Sequence, residues 1–326
     1  MKLLKLGNVC LDGTKIQANA SRHSALSHGH IEKLETQLQA EVQELLALAE
    51  KTDQADVPDG IDLPAEIRRC EDRLAAMADA KTKIAARAEE RYQREKPEYD
   101  AKLTKRTEKE KTTGKKPGGK PPAAPRPGPK DSDQINLTDE ESRMMPVSGG
   151  GFEQTYNAQA AADTETMLVV ATGLTQAPND KEQAKTMLDP LVAQNLRLGK
   201  VTGLIADTGF CSETNITACE TAGITPLIAV AKENHHPNWR ERHSEPPALP
   251  ENTTPVQTMA HRLKTKAGRA LYALRKQTVE PVFGIIKSVM GFRQFSLRGL
   301  TKVSGEWTLV CLAWNLKRLA VLRLQE

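Results

Sequence analysis

Apolar residues between positions 30 and 111 recur every three or four residues, which predicts two amphipathic helices. A segment rich in Asp, Pro and Gly at 52–64 separates the two runs, so we expect an antiparallel helical hairpin. The first run consists of Ile31, Leu34, Leu38, Val42, Leu45 and Ala49. The second run consists of Ile67, Cys70, Leu74, Met77, Ile84, Ala88 and Tyr92.

The first twenty residues have a shorter pattern that is typical of strands. Val9, Leu11 and Ile16 surround an Asp12-Gly13 pair, and this pattern predicts a short hairpin that turns at the pair. This segment therefore contributes strands to a sheet, ahead of the predicted helices.

After residue 151 the pattern alternates between strands and helices. Two strands separated by residues 164–166 precede a helix with Asn179 or Asp180 as its N-cap. A strand then leads into Asp207, Ser212 caps the next helix, and a further strand precedes a mostly helical C-terminal segment. This order predicts a mixed α/β domain with helices packed on a sheet.

The C-terminal helical segment contains the apolar run WTLVCLAWNL. Leu309, Leu312 and Leu316 share one helical face and are predicted to belong to the core, together with Trp307 and Trp314. In the alternative, Trp314 stacks on a nucleobase, but a core position is favoured.

Composition narrows the classes of protein. No apolar run approaches the ~20 residues needed to cross a bilayer, so a membrane protein is not expected. Five scattered cysteines form no Cys-x-x-Cys pair, which favours free thiols in a reducing cytoplasm over disulfides or a zinc site.

Positive charge is concentrated in two segments, although the net charge is only +4. Residues 102–130 contain ten Lys and Arg against two Glu, and residues 261–326 contain thirteen against three. Two basic segments suggest a polyanion such as nucleic acid as partner. Charge alone fits equally well with a solvated surface and a disordered tail.

Three acids stand out by position. Asp207 and Asp12 each follow an apolar strand, and sites in open α/β sheets form at the carboxyl ends of strands. Glu280 lies near the start of a helix for which Thr278 is the predicted N-cap and Pro281 is in the first turn. Three carboxylates together need a cation, and their hard oxygens suit Mg²⁺ or Mn²⁺. Two such ions support phosphodiester displacement.

Each acid also has a purely structural interpretation. Asp12 fits a plain Asp-Gly turn, Asp207 an Asx-turn, and Glu280 an acid favoured by the helix dipole. Asp163 competes with these acids for a place in the site because it follows a similar strand. The residues alone leave these alternatives open.

Four stretches together resemble bacterial insertion-sequence transposases of the DDE class, in the group with a helical insertion after the first acid. They are LDGTKIQANASRH, YNAQAAADTE, IADTGF and TVEPVFGIIKSVMGFRQFSLRGLTKVSGEWTLVCLAWNLKRL. The resemblance implies a ribonuclease H-like α/β fold, a mixed sheet with flanking helices that an inserted α-helical hairpin interrupts. It also implies that Asp12, Asp207 and Glu280 are a catalytic, metal-binding triad for two Mg²⁺ or Mn²⁺ ions.

The resemblance extends to basic residues. Lys287 matches a family residue that contacts substrate phosphate. The family places two residues between a Tyr and an Arg, and three between that Arg and the Glu. Tyr272 and Arg275 keep the first interval and Lys276 keeps the second, so Lys276 is a candidate for the arginine's place. The expected DNA-binding residues are Arg275, Lys276, Lys287, Arg293 and Arg298.

By this resemblance we expect four segments. Residues 1–22 begin the catalytic domain, 23–112 form the inserted hairpin, 113–150 are a linker, and 151–326 complete the catalytic domain. Family members usually carry a helical domain ahead of the first acid, so the chain is expected to be the catalytic portion of a longer protein.

The implied activity is Mg-dependent cleavage and strand transfer at the ends of an insertion element. The implied partner is double-stranded DNA, both element ends and target, bound by a homodimer in the nucleoid of the cytoplasm. Two alternatives are a metal-dependent nuclease of the same fold, which cuts without joining, and a non-catalytic DNA-binding remnant.

Overall fold

The computed structural model describes residues 4–50, 62–116, 118–230, 244–250 and 252–323. The chain divides into two compact units, of which one comprises Met1–Ser21 with Glu141–Glu326 and the other comprises Arg22–Glu140. Within the described ranges, no helix combines the length and the apolar character needed to cross a membrane.

After residue 151, strands and helices follow one another as the alternating pattern predicts. The strands are β1 (Asn8–Gln17), β2 (Ala25–Ser27), β3 (Gln134–Asn136), β4 (Arg143–Pro146), β5 (Phe152–Asp163), β6 (Val169–Thr175), β7 (Gly203–Ala206) and β8 (Thr225–Ile228). The helices are α1 (His28–Glu50), α2 (Leu63–Thr113), α3 (Gln183–Ala193), α4 (Asn195–Leu198), α5 (Glu213–Thr221), α6 (Pro255–Lys264), α7 (Lys266–Ala273), α8 (Arg275–Ser288) and α9 (Leu300–Arg323).

A mixed sheet forms the centre of the first unit. Its strands lie in the order β4-β5-β1-β7-β8, and β6 pairs with β5 on the same edge as β4. Strand β1 is antiparallel to β5 and parallel to β7, which is parallel to β8. Helices α3 and α5 pack on one face, and α8 and α9 pack on the other. This arrangement confirms the predicted ribonuclease H-like mixed α/β fold.

The hairpin predicted at Asp12-Gly13 is wrong, because β1 runs without interruption through both residues. Asp12 pairs with Ala160 and Gly13 with Gln159 in a continuous antiparallel register with β5. Pairing with a distant strand therefore overrides the local turn preference of the Asp-Gly pair. The consequence is that Asp12 lies in the middle of a central strand.

Two of the three predicted helix N-caps are wrong. Ser212 caps α5 as predicted, since its hydroxyl accepts the backbone N–H of Asn215 at 3.1 Å. Helix α3 has Glu182 as its N-cap instead of Asn179 or Asp180.

Helix α8 starts at Arg275, three residues before the predicted cap. Thr278 is buried inside this helix, and its hydroxyl donates to the carbonyl of Leu274 at 2.8 Å. Because the helix begins earlier than predicted, Pro281 lies in its second turn.

Tryptophans, and not leucines, attach α9 to the sheet. Trp307 and Trp314 are buried, and their indole N–H groups donate to the backbone carbonyls of Gln159 and Met167, both at 2.9 Å. The opposite face of the helix carries Leu309, Leu312 and Leu316, with 65%, 51% and 61% of their surfaces exposed. The core position predicted for the leucines is therefore wrong, and that for Trp314 is confirmed.

In the second unit, α1 and α2 pack against each other as their periodicity predicts. Their shared core contains Ile31, Leu38, Cys70, Met77, Ala80 and Ile84. Lys81 and Glu35 form an ion pair of 2.8 Å between the two helices. Residues 51–61, which contain most of the predicted connection, lie outside the described residues.

Candidate active site

The parallel pairing of β1 with β7 brings two acids together. Cys10 is in register with Ile205, and two residues further along each chain segment are Asp12 and Asp207. Strand β7 ends at Ala206, so Asp207 lies at its carboxyl end while β1 continues past it. The prediction that a strand ends on Asp207 is confirmed. Asp12 reaches the same edge from within its own strand.

The carboxylate of Asp12 has two kinds of neighbour. Its Oδ1 accepts the backbone N–H of Gly13 at 2.8 Å, and its Oδ2 lies 3.3 Å from Nη1 of Arg275 on α8. Because side chains alternate along a strand, Asp12 lies on the same sheet face as Cys10, which is the face that α8 covers.

Arg275 also contacts the third acid. Its Nη2 lies 2.8 Å from Oε1 of Glu280, which is on the same helix. One guanidinium therefore bridges Asp12 and Glu280. Its Nε is buried, and its N–H donates to no partner among the described residues.

Burial and the neighbouring charged groups shift the pKa of Asp12. Burial and then the neighbouring Asp207 carboxylate raise the pKa of Asp12 to about 7, while the Gly13 N–H and Arg275 oppose the rise. Burial works against the charge of Arg275, but the carboxylates, with Asp12 foremost, raise its pKa. The site is therefore an electrostatically strained group of acids around one cation.

Asp163, the competing acid, has entirely different surroundings. Its Oδ2 accepts the backbone N–H groups of Glu165 and Thr166 and the Thr166 hydroxyl, at 3.2, 2.8 and 2.7 Å. It pairs with Val9, near the start of β1, and so lies three residue pairs from Asp12. Asp163 stabilises the turn between β5 and β6 and does not join the other acids.

The donor chemistry fits a divalent cation, but the side chains must rearrange to bind one. In the parts of the chain that the structure describes, no three acidic, His or Cys side chains are grouped closely enough to hold a metal. The guanidinium of Arg275 lies between Asp12 and Glu280. Hard carboxylate oxygens suit Mg²⁺ or Mn²⁺, and such an ion relieves the repulsion between Asp12 and Asp207.

Lys287 lies beside the same strand. Its ammonium donates to the Thr14 hydroxyl and, at 2.9 Å, to the Lys15 carbonyl, so it touches β1 two and three residues after Asp12. Burial and then the charge of Arg293 lower the pKa of Lys287.

The other predicted DNA contacts have different surroundings. Arg293 donates through Nε to the Lys287 carbonyl at 3.0 Å, and Arg298 donates to the Asn19 carbonyl at 2.9 Å. Lys276 is exposed on α8. Arg275 and Lys287 bond to β1 through their side chains, and Arg293 accepts the backbone N–H of Gln17 at the end of that strand, at 3.1 Å.

Sequence reasoning missed the position of Asp180. Its Oδ1 accepts the side-chain amides of Asn157 and Gln159 on β5, at 2.7 and 2.6 Å. A Cβ added to Gly13 would lie 2.6 Å from this oxygen, and one added to Gly209 would lie 3.7 Å from Oδ2. Asp180 therefore packs against the chain just after both Asp12 and Asp207. The available sequence signal was the pair of amides Asn157 and Gln159, which alternate with alanines on β5 and so point to one side of the sheet.

Comparison with known proteins gives one clear finding. A family model described as a transposase DDE domain matches residues 124–316, which is more than half of the chain. The matched span contains Asp207 and Glu280 and begins after Asp12. Comparisons with curated proteins and with solved structures gave no match.

Proposed function

Because the chain belongs to the family of transposase DDE domains, we propose that it cleaves DNA at the ends of an insertion element and joins them to target DNA. The observation that supports the proposal is that Asp12 has both other acids as neighbours, Asp207 by its charge and Glu280 through Arg275. Asp12 and Asp207 are adjacent across β1 and β7, and Arg275 connects Asp12 to Glu280.

Asp12, Asp207 and Glu280 are the residues that would hold two Mg²⁺ or Mn²⁺ ions. Such ions supply activation of an attacking oxygen and stabilisation of the leaving oxygen in phosphodiester displacement. The raised pKa of Asp12 supports this assignment, since a carboxyl group that resists ionisation beside Asp207 gains most from a cation.

The basic residues around the acids would bind and orient the DNA backbone. Lys287 lies against β1 beyond Asp12, where its ammonium can exchange the Thr14 hydroxyl for a phosphate oxygen. Arg275, Lys276, Arg293 and Arg298 extend the positive surface along α8 and the segment after it. Water would first cleave the strand, and the freed 3′-hydroxyl would then attack target DNA, without a covalent protein–DNA intermediate.

The test compares Asp207→Asn with the wild type on a duplex that carries the DNA flanking the coding sequence. We expect the variant to lose Mg²⁺-dependent cleavage by at least about 10³-fold, because it removes one acid of the triad. Salt-sensitive DNA binding, measured by fluorescence anisotropy, should remain nearly unchanged. Asp189→Asn is the control, since Asp189 is an exposed residue on α3. Equal cleavage by Asp207→Asn would refute the proposed site.

The same assay separates the alternatives. Cleaved products without joined products identify a nuclease of the same fold. Binding without cleavage identifies a non-catalytic remnant.

A further inference from the structure

Arg275 occupies the space among the acids that a bound cation needs. Its two terminal nitrogens lie 3.3 Å from Asp12 and 2.8 Å from Glu280. Only 16% of its side-chain surface is exposed, as for Asp12, so solvent screens the Asp12 pair weakly. The oxygens that face the guanidinium are the ones that the proposed function assigns to metal.

We infer that Arg275 is the internal cation of the metal-free site, and that a divalent ion binds by displacing its guanidinium from Asp12 and Glu280. This inference rests on the proposed function, because it assumes that these acids bind metal. Guanidinium and metal compete since both require the same carboxylate oxygens. Arg275 is thus a positioning residue, which acts through the acids that it holds.

The position of Arg275 in its helix explains why it can play this role. It is the first residue of α8, where the side chain can turn back toward β1. Lys276, one residue later, stands four positions before Glu280, the usual spacing for an ion pair along a helix. Lys276 is nevertheless exposed, and it is Arg275 that pairs with the acid. The two residues provide a matched pair of neighbouring cations with different contacts.

Once a metal ion has displaced the Arg275 guanidinium from the two carboxylates, the guanidinium is free to pair with another anion. Its Nε is already buried without a partner among the described residues, so loss of both carboxylates would leave it strongly undersatisfied. A DNA phosphate pairs with guanidinium in the two-pronged geometry that carboxylates use. If phosphate releases the acids and metal releases the arginine, each ligand strengthens the binding of the other by the same factor.

The first test measures Mn²⁺ binding without DNA, by electron paramagnetic resonance of the free ion. We expect Arg275→Gln to bind Mn²⁺ about tenfold more tightly than the wild type, because the competing cation is gone. Lys276→Gln removes the same charge next to it and should change the affinity less than about twofold. Equal or weaker binding by Arg275→Gln, with binding lost in Asp12→Asn, overturns the inference and leaves the proposed function intact.

Absence of Mn²⁺ binding by the wild type and by Arg275→Gln alike would overturn both. If the glutamine variant folds poorly, Arg275→Lys takes its place, since it keeps the charge without the two-pronged geometry. Its Mn²⁺ affinity should exceed that of the wild type, but by less than about tenfold.

Thermal unfolding gives an independent readout. In EDTA the glutamine variant should melt below the wild type, and Mg²⁺ should raise its melting temperature by more. An equal rise in both proteins contradicts the inference.

The second test measures the link to DNA. Anisotropy of a labelled 20-base-pair duplex is titrated in EDTA and in Ca²⁺, which takes the same oxygen ligands as Mg²⁺. Ca²⁺ should strengthen DNA binding by the wild type at least about threefold more than binding by Arg275→Gln. Equal strengthening of both proteins overturns the coupling between metal and DNA.

Discussion

Two acids on neighbouring central strands, Asp163 and Asp12, have opposite surroundings. Asp163 is buried on β5 and accepts three hydrogen bonds from the turn that follows it. Asp12 on β1 accepts one backbone N–H, from Gly13, and is also acted on by the charges of Asp207, Arg275 and Asp180.

The difference separates a carboxylate that the fold satisfies from one that the fold leaves beside another negative charge. A carboxylate surrounded by fixed donors is satisfied by the fold and has no need of a ligand. A carboxylate placed beside another acid is destabilised by the fold, and binding of a cation relieves that repulsion. Asp163 is of the first kind and Asp12 is of the second, although both follow apolar residues on strands.

The largest expected effect is on DNA cleavage. Asp12→Asn should reduce Mg²⁺-dependent cleavage by at least about 10³-fold, since it removes a proposed metal ligand. Asp163→Asn should keep cleavage within about threefold of the wild type, per folded molecule counted by circular dichroism. A comparable loss in both variants would erase the distinction between the two acids.

The next effect is on stability and concerns Asp163. Replacing it with Ala leaves the N–H groups of Glu165 and Thr166 without their acceptor, which should cost about 3 kcal/mol of unfolding free energy. Urea denaturation measures the loss. Asp189→Ala, at an exposed position of α3, is the control and should change stability by less than about 0.5 kcal/mol. A loss below about 1 kcal/mol at Asp163 would show that the turn does not depend on it.

The smallest expected effect is on how protein stability depends on pH, and it concerns Asp12. Its folded pKa, about 7, lies above the ordinary value of 3.8, so the wild type gains stability when Asp12 is protonated. That contribution is complete below about pH 4 and is lost as the pH rises through 7. In EDTA, the unfolding free energy of Asp12→Asn relative to that of the wild type should therefore rise by about 2 kcal/mol from pH 5 to pH 8. A pH-independent difference would contradict the raised pKa.

Much of the fold could be predicted because its signals are local. The two strands around residues 164–166, the Ser212 cap and the helical periodicity of the second unit depend on residues close in sequence. The Asp12-Gly13 turn could not be predicted correctly, because pairing with β5 decides its conformation. The exposed leucines of α9 failed for a similar reason, since two buried tryptophans determine which face of the helix meets the sheet.

The site shows the same limit. The apolar runs before Asp12 and Asp207 and the predicted helix around Glu280 made these acids candidates, and only the family resemblance grouped them as a triad. That Arg275 lies between two of them depends on where α8 begins, and the sequence placed that start at Thr278. The local pattern makes Asp180 a candidate helix cap. Its actual partners, Asn157 and Gln159, could not be predicted because they are on a strand that only the folded sheet brings near.

The central position of β1 has a consequence for synthesis on the ribosome. Gln17 pairs with Thr155 and Asn8 with Gly203, so β1 is translated well before its partners, which lie near the middle and in the later part of the chain. At about 5–20 residues per second, that delay is about 10–40 s. Until those partners emerge, the nascent chain carries an unpaired, largely apolar strand, which is open to mispairing.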